Sequence, residues 1–208
     1  LNKIKNKNIL TYGLNKKSNY RVSNVRYNVT NSLFDLHYKD LKKKSAIIKN
    51  INLKLIGEHN VLNAVAAIAV CLNLGVNINT IKKALKNFSG VQRRMTKIFS
   101  KNKNEFFDDY AHHPTEISSI LDSVYKVYQR RKIITVFEPH RYSRVVSLKN
   151  EFSKSFLKSD MVLMCPLYAA GEKNKLNFNL LDFAKLISKK SITQVVIINN
   201  QKELSNYF

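Results

Sequence analysis

After Gly90 the chain repeats one pattern, a short apolar run followed by a stretch of helical periodicity, and few folds accept it. Glu105 to Asp108, Ile133 to Phe137, Met161 to Cys165 and Val195 to Ile198 read as strands. Pro114 to Tyr128, Val145 to Leu157 and Leu180 to Ser188 read as the helices between them. Runs too short for anything but buried strands, alternating with helices, imply a mainly parallel sheet with right-handed crossovers. The expected fold of this stretch is Rossmann-like α/β.

Residues 1–90 read differently. Tyr20 to Val29, Ser32 to Tyr38 and Ala46 to Ile56 are β-like, and two helices follow, from Val61 and from Asn79 to Phe88. Val61, Leu62, Val65, Ile68, Ala69 and Leu72 recur at helical steps, and Gly75 reads as the residue that ends the first helix. Ser89-Gly90 breaks the pattern. Two domains are therefore expected, 1–90 and 91–208, the second of them Rossmann-like.

Composition narrows the function classes. The chain has 208 residues and is 44% hydrophobic, which is globular rather than disordered. No apolar run reaches the roughly 20 residues of a membrane span. Leu1 to Lys7 lacks the apolar centre and cleavage site of a signal peptide, and with no initiating Met the chain reads as starting inside something longer. A net charge of +22 first suggests nucleic acid. However, the 28 Lys are spread from end to end, and Arg93, Arg94, Arg141 and Arg144, half of the eight Arg, sit in or beside polar clusters. No specific nucleic-acid binding is expected. Cys71 and Cys165 sit among apolar neighbours, read as unrelated reduced thiols, and point to the cytoplasm.

The chemistry-bearing residues fall behind the apolar runs. Asp108-Asp109-Tyr110-Ala111-His112-His113-Pro114-Thr115-Glu116 follows the first, and Glu138-Pro139-His140-Arg141-Tyr142-Ser143-Arg144 the second. Ligands of open α/β sheets bind at the carboxyl ends of strands, so the two clusters are expected to wall one anionic-substrate site. His140, Arg141 and Arg144 suit a carboxylate. Neighbouring residues on a strand point to opposite faces, so the paired Asp and paired His cannot all converge on a metal. One of each pair is expected to face the cleft and the other to brace the backbone. Asn60 reads as an N-cap. Asn60 and Asn63, one turn apart, either offer donor and acceptor to a purine edge or merely satisfy a helix end. Arg93-Arg94 after the Gly90 break is either a surface patch or a phosphate clamp.

Taken in order, Gly57-Glu58-His59-Asn60-Val61-Leu62-Asn63-Ala64, Gly90 to Met95, Asp108 to Glu116, Pro139 to Arg144 and Tyr168-Ala169-Ala170-Gly171-Glu172 resemble the Mur ligases. The likeness is to the branch that adds L-alanine to UDP-N-acetylmuramate in peptidoglycan synthesis, with Pro139 to Arg144 the most discriminating stretch. Glu138, Met95 and Ala111 depart from the usual Gln, Phe and Gly. The resemblance implies an ATP-dependent ligase working with Mg2+ through an acyl phosphate. It implies that Asn60 and Asn63 hold the adenine, Arg94 the phosphates and Asp109 the ribose. Tyr110 and His112 line the reaction centre, and His140, Arg141 and Arg144 bind and orient the alanine. The Gly-rich Lys-Thr/Ser loop of the family does not occur among these residues, whose five glycines lie at 13, 57, 75, 90 and 171. The resemblance therefore implies a fragment, 1–90 being the end of the family's central ATPase-type α/β domain and 91–208 most of its C-terminal domain, with magnesium ligands expected outside it and no metal site within. A non-catalytic relative and a basic nucleic-acid module are the competing readings.

Overall fold

The computed structural model describes residues 9–208. The stretch Leu1 to Lys7 lies outside them. The chain divides into two compact units, Leu1–Gln92 and Arg93–Phe208.

In the first unit, β1 (Tyr12–Gly13), β2 (Tyr20–Tyr27), β3 (Ser32–Lys39) and β4 (Ser45–Leu53) form one sheet in that order. β1 runs parallel to β2, and the other pairs are antiparallel. Alternation puts Tyr20, Val22, Phe34 and Leu36 on one face, where helix α1 (Glu58–Asn73) lays Val61, Ala64, Val65 and Ile68 over them. Helix α2 (Ile78–Asn87) adds Ile81. The end of α1 follows the sequence reading. Gly75 at φ +84° donates to Leu72 O, and Val76 to Cys71 O, the paired bonds that a left-handed residue closes at a helix end.

The second unit opens with a hairpin, β5 (Thr96–Lys101) and β6 (Asn104–Asp108). This corrects the placing of 105–108 as the first strand of the parallel set, because among the described ladders β6 pairs only with β5. The parallel sheet has three strands in chain order, β7 (Ile134–Phe137), β8 (Met161–Met164) and β9 (Gln194–Ile197). Helix α3 (Pro114–Val127) precedes it, α6 (Leu180–Ser191) joins β8 to β9, and α7 (Gln201–Ser205) follows.

The helix expected over 145–157 is two short ones, α4 (Tyr142–Ser147) and α5 (Lys149–Phe152), broken at Leu148. Serine supplies the reason. Ser147 Oγ donates to Arg144 O, and Ser153 and Ser155 hydroxyls take Asn150 and Glu151 carbonyls in the same way, competing with the helical ladder. Phe137, Phe152, Phe156 and Phe183 pack ring to ring at the centre of this unit, with Val145, Val162 and Ile187 buried beside them.

β7 is an edge strand whose only ladder among the described residues is to β8. Ile134 and Val136 on it are 41% and 45% exposed, and they border a cavity of about 1020 Å3 that Phe106, Phe107 and the α7 residue Leu204 also line.

Candidate active site

The two polar clusters meet in the second unit. Phe137 ends β7 opposite Met164 at the end of β8, and the chains leaving these neighbours stay together. Tyr168 N–H donates to Pro139 O at 2.8 Å, and Arg141 N–H to Tyr168 O at 2.9 Å. The parallel ladder is thus extended by one bridge between His140 and Tyr168, and their rings stack 5.3 Å apart. On the other side the His140 ring lies 6.3 Å from that of His112, which meets Tyr110 edge-on at 5.3 Å. Tyr110, His112, His140 and Tyr168 therefore form a continuous row.

The neighbouring histidines divide their work. His113 is the N-cap of α3. Its Nδ1 accepts from Thr115 N–H at 3.3 Å, while Glu116 accepts from the backbone of His113 and of His112. This is a capping box with histidine in the serine position, and Pro114 opens the helix behind it. His112 instead turns toward His140. Its Nδ1 lies 2.9 Å from Tyr110 O, so that nitrogen carries the proton, and 3.8 Å from the Glu116 carboxylate.

The aspartates divide similarly. Asp109 takes Met95 N–H on one oxygen and Ala111 N–H on the other, both at 2.7 Å, pinning the turn between β6 and α3 to the start of the hairpin. Each oxygen keeps one lone pair beyond those bonds. Asp108 faces Arg93 at 3.6 Å, and the Arg93 guanidinium lies over the Tyr110 ring.

Arg94 stands 3.9 Å from Glu116. Burial pushes the Glu116 carboxyl up, but the N–H groups of His112 and His113 outweigh it and hold it below the usual range. Glu116 thus joins Arg94, His112 and the helix end. Sequence reading missed its central place, although a Glu three residues after a capping side chain is the available signal.

In the second cluster Arg144 Nη1 lies 3.2 Å from His140 Nδ1. An arginine only donates, so Nδ1 accepts and the imidazole proton sits on Nε2. Burial, then the charges of Arg144 and Arg141, hold His140 below its ordinary value, so the ring is neutral near pH 7. Arg141 is exposed and Arg144 half-buried, leaving a fork of two cations with no carboxylate partner among the described ion pairs. Glu172, which sequence reading assigned no role beyond its place in the Tyr168–Glu172 motif, accepts from Ser143 N–H and Ser143 Oγ.

Asn60 and Asn63 lie in the first unit, on α1. The cap of that helix is Gly57, not Asn60 as expected. Gly57 adopts φ 100° and ψ 146°, open only to glycine, and the chain turns there, one residue before the helix begins. Asn60 is instead inside the first turn, and its Nδ2 donates to Ile56 O at 2.8 Å, leaving the carbonyl oxygen as acceptor. Asn63, one turn on, is exposed. Among the described residues no three His, Cys, Asp or Glu side chains converge as a metal seat, and no helix is long and apolar enough to cross a membrane.

The chain is similar to proteins already known. The glutamate ligase domain of the Mur ligases matches residues 93–207, and the Mur ligase middle domain residues 1–71. The UDP-N-acetylmuramate–L-alanine ligase of Pelagibacter ubique is 46% identical over 207 residues, covering 100% of this chain and 45% of its own length. That of Vesicomyosocius okutanii is 38% identical over 200 residues, covering 94% and 42%. The crystal structure of the UDP-N-acetylmuramate–alanine ligase of Thermotoga maritima superposes with a TM-score of 0.71 at 28% identity, covering 96% of this chain and 41% of that one. The chain thus spans less than half the length of these relatives.

Proposed function

The chain belongs to the Mur ligase family, and from that premise we propose that it is part of an ATP-dependent ligase joining L-alanine to UDP-N-acetylmuramate. The observation that carries the reading is the row from Tyr110 through His112 to His140, which ends at a neutral imidazole beside Arg141 and Arg144, a fork with no carboxylate partner among the described ion pairs. The 46% identity to an alanine-adding relative supports it.

The muramoyl carboxylate attacks the γ-phosphorus of ATP, forming an acyl phosphate and releasing ADP. The amine of alanine then attacks the acyl carbon, the carbon–oxygen bond to phosphate breaks, and inorganic phosphate leaves as the amine gives up its proton. Such a sequence asks the protein for positioning and charge neutralisation rather than a nucleophile. Arg141 and Arg144 grip the alanine carboxylate through charge-assisted bonds, and the neutral His140 adds an uncharged N–H. Tyr110 and His112 line the reaction centre, where fixed donors stabilise the charge of the tetrahedral intermediate.

Asn60, with its free carbonyl oxygen, and the exposed Asn63 present acceptor and donor to the adenine edge. Arg94 takes the phosphates and exchanges Glu116 for them. Asp109 uses its remaining lone pairs for the ribose hydroxyls. Magnesium accompanies ATP, and among the described residues no cluster of carboxylates or histidines fits it. ATP and a nucleotide sugar as substrates place the reaction in the cytoplasm, and no nucleic acid is required.

The test is ADP release by the full-length protein with each substrate omitted in turn. Release that requires both UDP-N-acetylmuramate and L-alanine is expected. Release that is indifferent to alanine, or that another amino acid supports equally, overturns the assignment.

A further inference from the structure

The turn after β8 grips the cluster after β7 on both sides of one strained residue. Arg141 has φ 67° and ψ 129°, a region that side-chain-bearing residues seldom occupy. Such strain persists only where the surroundings over-determine it, and it gathers at functional sites. Before Arg141, the Pro139–Tyr168 and Arg141–Tyr168 backbone bonds and the His140–Tyr168 stack fix the chain. After it, Glu172 takes Ser143 N–H at 2.9 Å on one oxygen and Ser143 Oγ at 2.7 Å on the other. Both anchors come from one five-residue turn. It reverses through Ala170 at φ 48° and Gly171 at φ 82°, so that Glu172 N–H returns to Ala169 O.

We propose that Glu172 is a positioning residue for amino-acid recognition: its two-pronged hold on Ser143 keeps Arg141 strained and aims Arg141 and Arg144 at one carboxylate. The proposal rests on the reading of that fork as the alanine site. Geometry also explains why an acid can stand beside the fork without filling it. Both Glu172 oxygens are engaged by Ser143, and no ion pair joins Glu172 to Arg141 or Arg144 among the described residues. The Ser143 backbone N–H, then its hydroxyl, hold the Glu172 carboxyl below the usual range, so the grip persists through neutral pH. Glutamine could keep one prong and not both, since its amide nitrogen cannot accept.

Steady-state kinetics of the full-length protein, with alanine and ATP varied separately, test this. Glu172→Gln is expected to raise the alanine KM by about 10-fold while the ATP KM stays within about twofold. Ser143→Ala, which removes one prong, is expected to raise it less, and the double variant to be no worse than Glu172→Gln, since both act through one link. Thermal unfolding run beside the kinetics separates positioning from a general loss of fold, which moves both KM values together. Arg144→Ala is the reference. If it raises the alanine KM and Glu172→Gln does not, Glu172 is no positioning residue and the site stands. If neither does, the alanine site itself is misplaced.

Discussion

Arg144 Nη1 lies 3.2 Å from His140 Nδ1, a hydrogen bond in which a permanent cation donates to a histidine and thereby discourages its protonation. Burial is the larger influence on His140, with Arg144 and Arg141 next. In Arg144→Gln the His140 midpoint should therefore rise without reaching its ordinary value of about 6.5. The unfolded chain takes up this proton near that ordinary value and the folded chain only at lower pH. The stability this imidazole contributes is thus complete above that value and lost as pH falls through it toward the folded value. NMR titration of the imidazole carbons would check both points, and an unmoved His140 midpoint in Arg144→Gln would refute the coupling.

Arg144→Ala in the full-length protein should raise the alanine KM by about 10–100-fold, the loss expected for charge-assisted bonds, with little change for ATP. The same substitution leaves His140 without its donor, so kcat is expected to fall as well. Unchanged alanine kinetics would remove Arg144 from the site.

Glu116→Gln removes the charge that joins Arg94, His112 and the cap of α3. A loss of about 1 kcal/mol is expected, as for other disrupted caps. Because the folded carboxyl lies below its ordinary value, its contribution is present above the ordinary carboxylate range and is lost as pH falls through the folded value. Denaturation midpoints measured from neutral to acid pH should drop less steeply in the variant than in the parent chain.

The 208-residue chain by itself should not couple ATP to ligation. No Gly-rich Lys-Ser or Lys-Thr loop occurs in it, so no backbone cradle for the β- and γ-phosphates is supplied. Phosphate release that depends on UDP-N-acetylmuramate and alanine together, from the isolated chain, would contradict this.

Lys103→Gly should stabilise the β5–β6 hairpin by about 1 kcal/mol, because Asn102 and Lys103 both sit at positive φ, 50° and 66°, as a two-residue primed turn requires. The Lys103 carbonyl that receives the Arg131 side chain is kept in the variant. A lower unfolding midpoint would show that the lysine side chain matters more than the turn geometry.

That hairpin also explains what the sequence left illegible. A primed turn announces itself as Asn-Gly, and Asn-Lys does not, so 105–108 reads as a lone strand awaiting a parallel partner. The break at Leu148 is hidden for a related reason, since hydroxyls bonding back to carbonyls leave the apolar spacing of 145–157 intact. At Gly57, cap and asparagine lie three residues apart, within the uncertainty of any helix start read from pattern. The parallel strands, the C-terminal end of α1 and the start of α3 were legible, because apolar runs, Gly75 and Pro114 each carry their own local physics. The two polar clusters do meet, but the rule that sites form at carboxyl strand ends accounts only for the second, since β6 belongs to a hairpin and not to the parallel sheet. The turn that grips Ser143 was not legible, because a hydrogen bond between 143 and 172 leaves no mark in either segment.

The edge of β7 has a consequence at the bench. A strand whose outer N–H and C=O groups have no ladder partner among the described residues, with Ile134 and Val136 exposed beside them, is a template for another copy of itself. Opposing this is the net charge of +22, which keeps copies apart for as long as it is felt. Salt shortens that reach from about 10 Å at 0.1 M to about 3 Å at 1 M. Solutions of this chain should therefore turn cloudy as salt is added and clear on dilution into low-salt buffer, so the high-salt washes that strip nucleic acid from basic proteins are the step most apt to precipitate it.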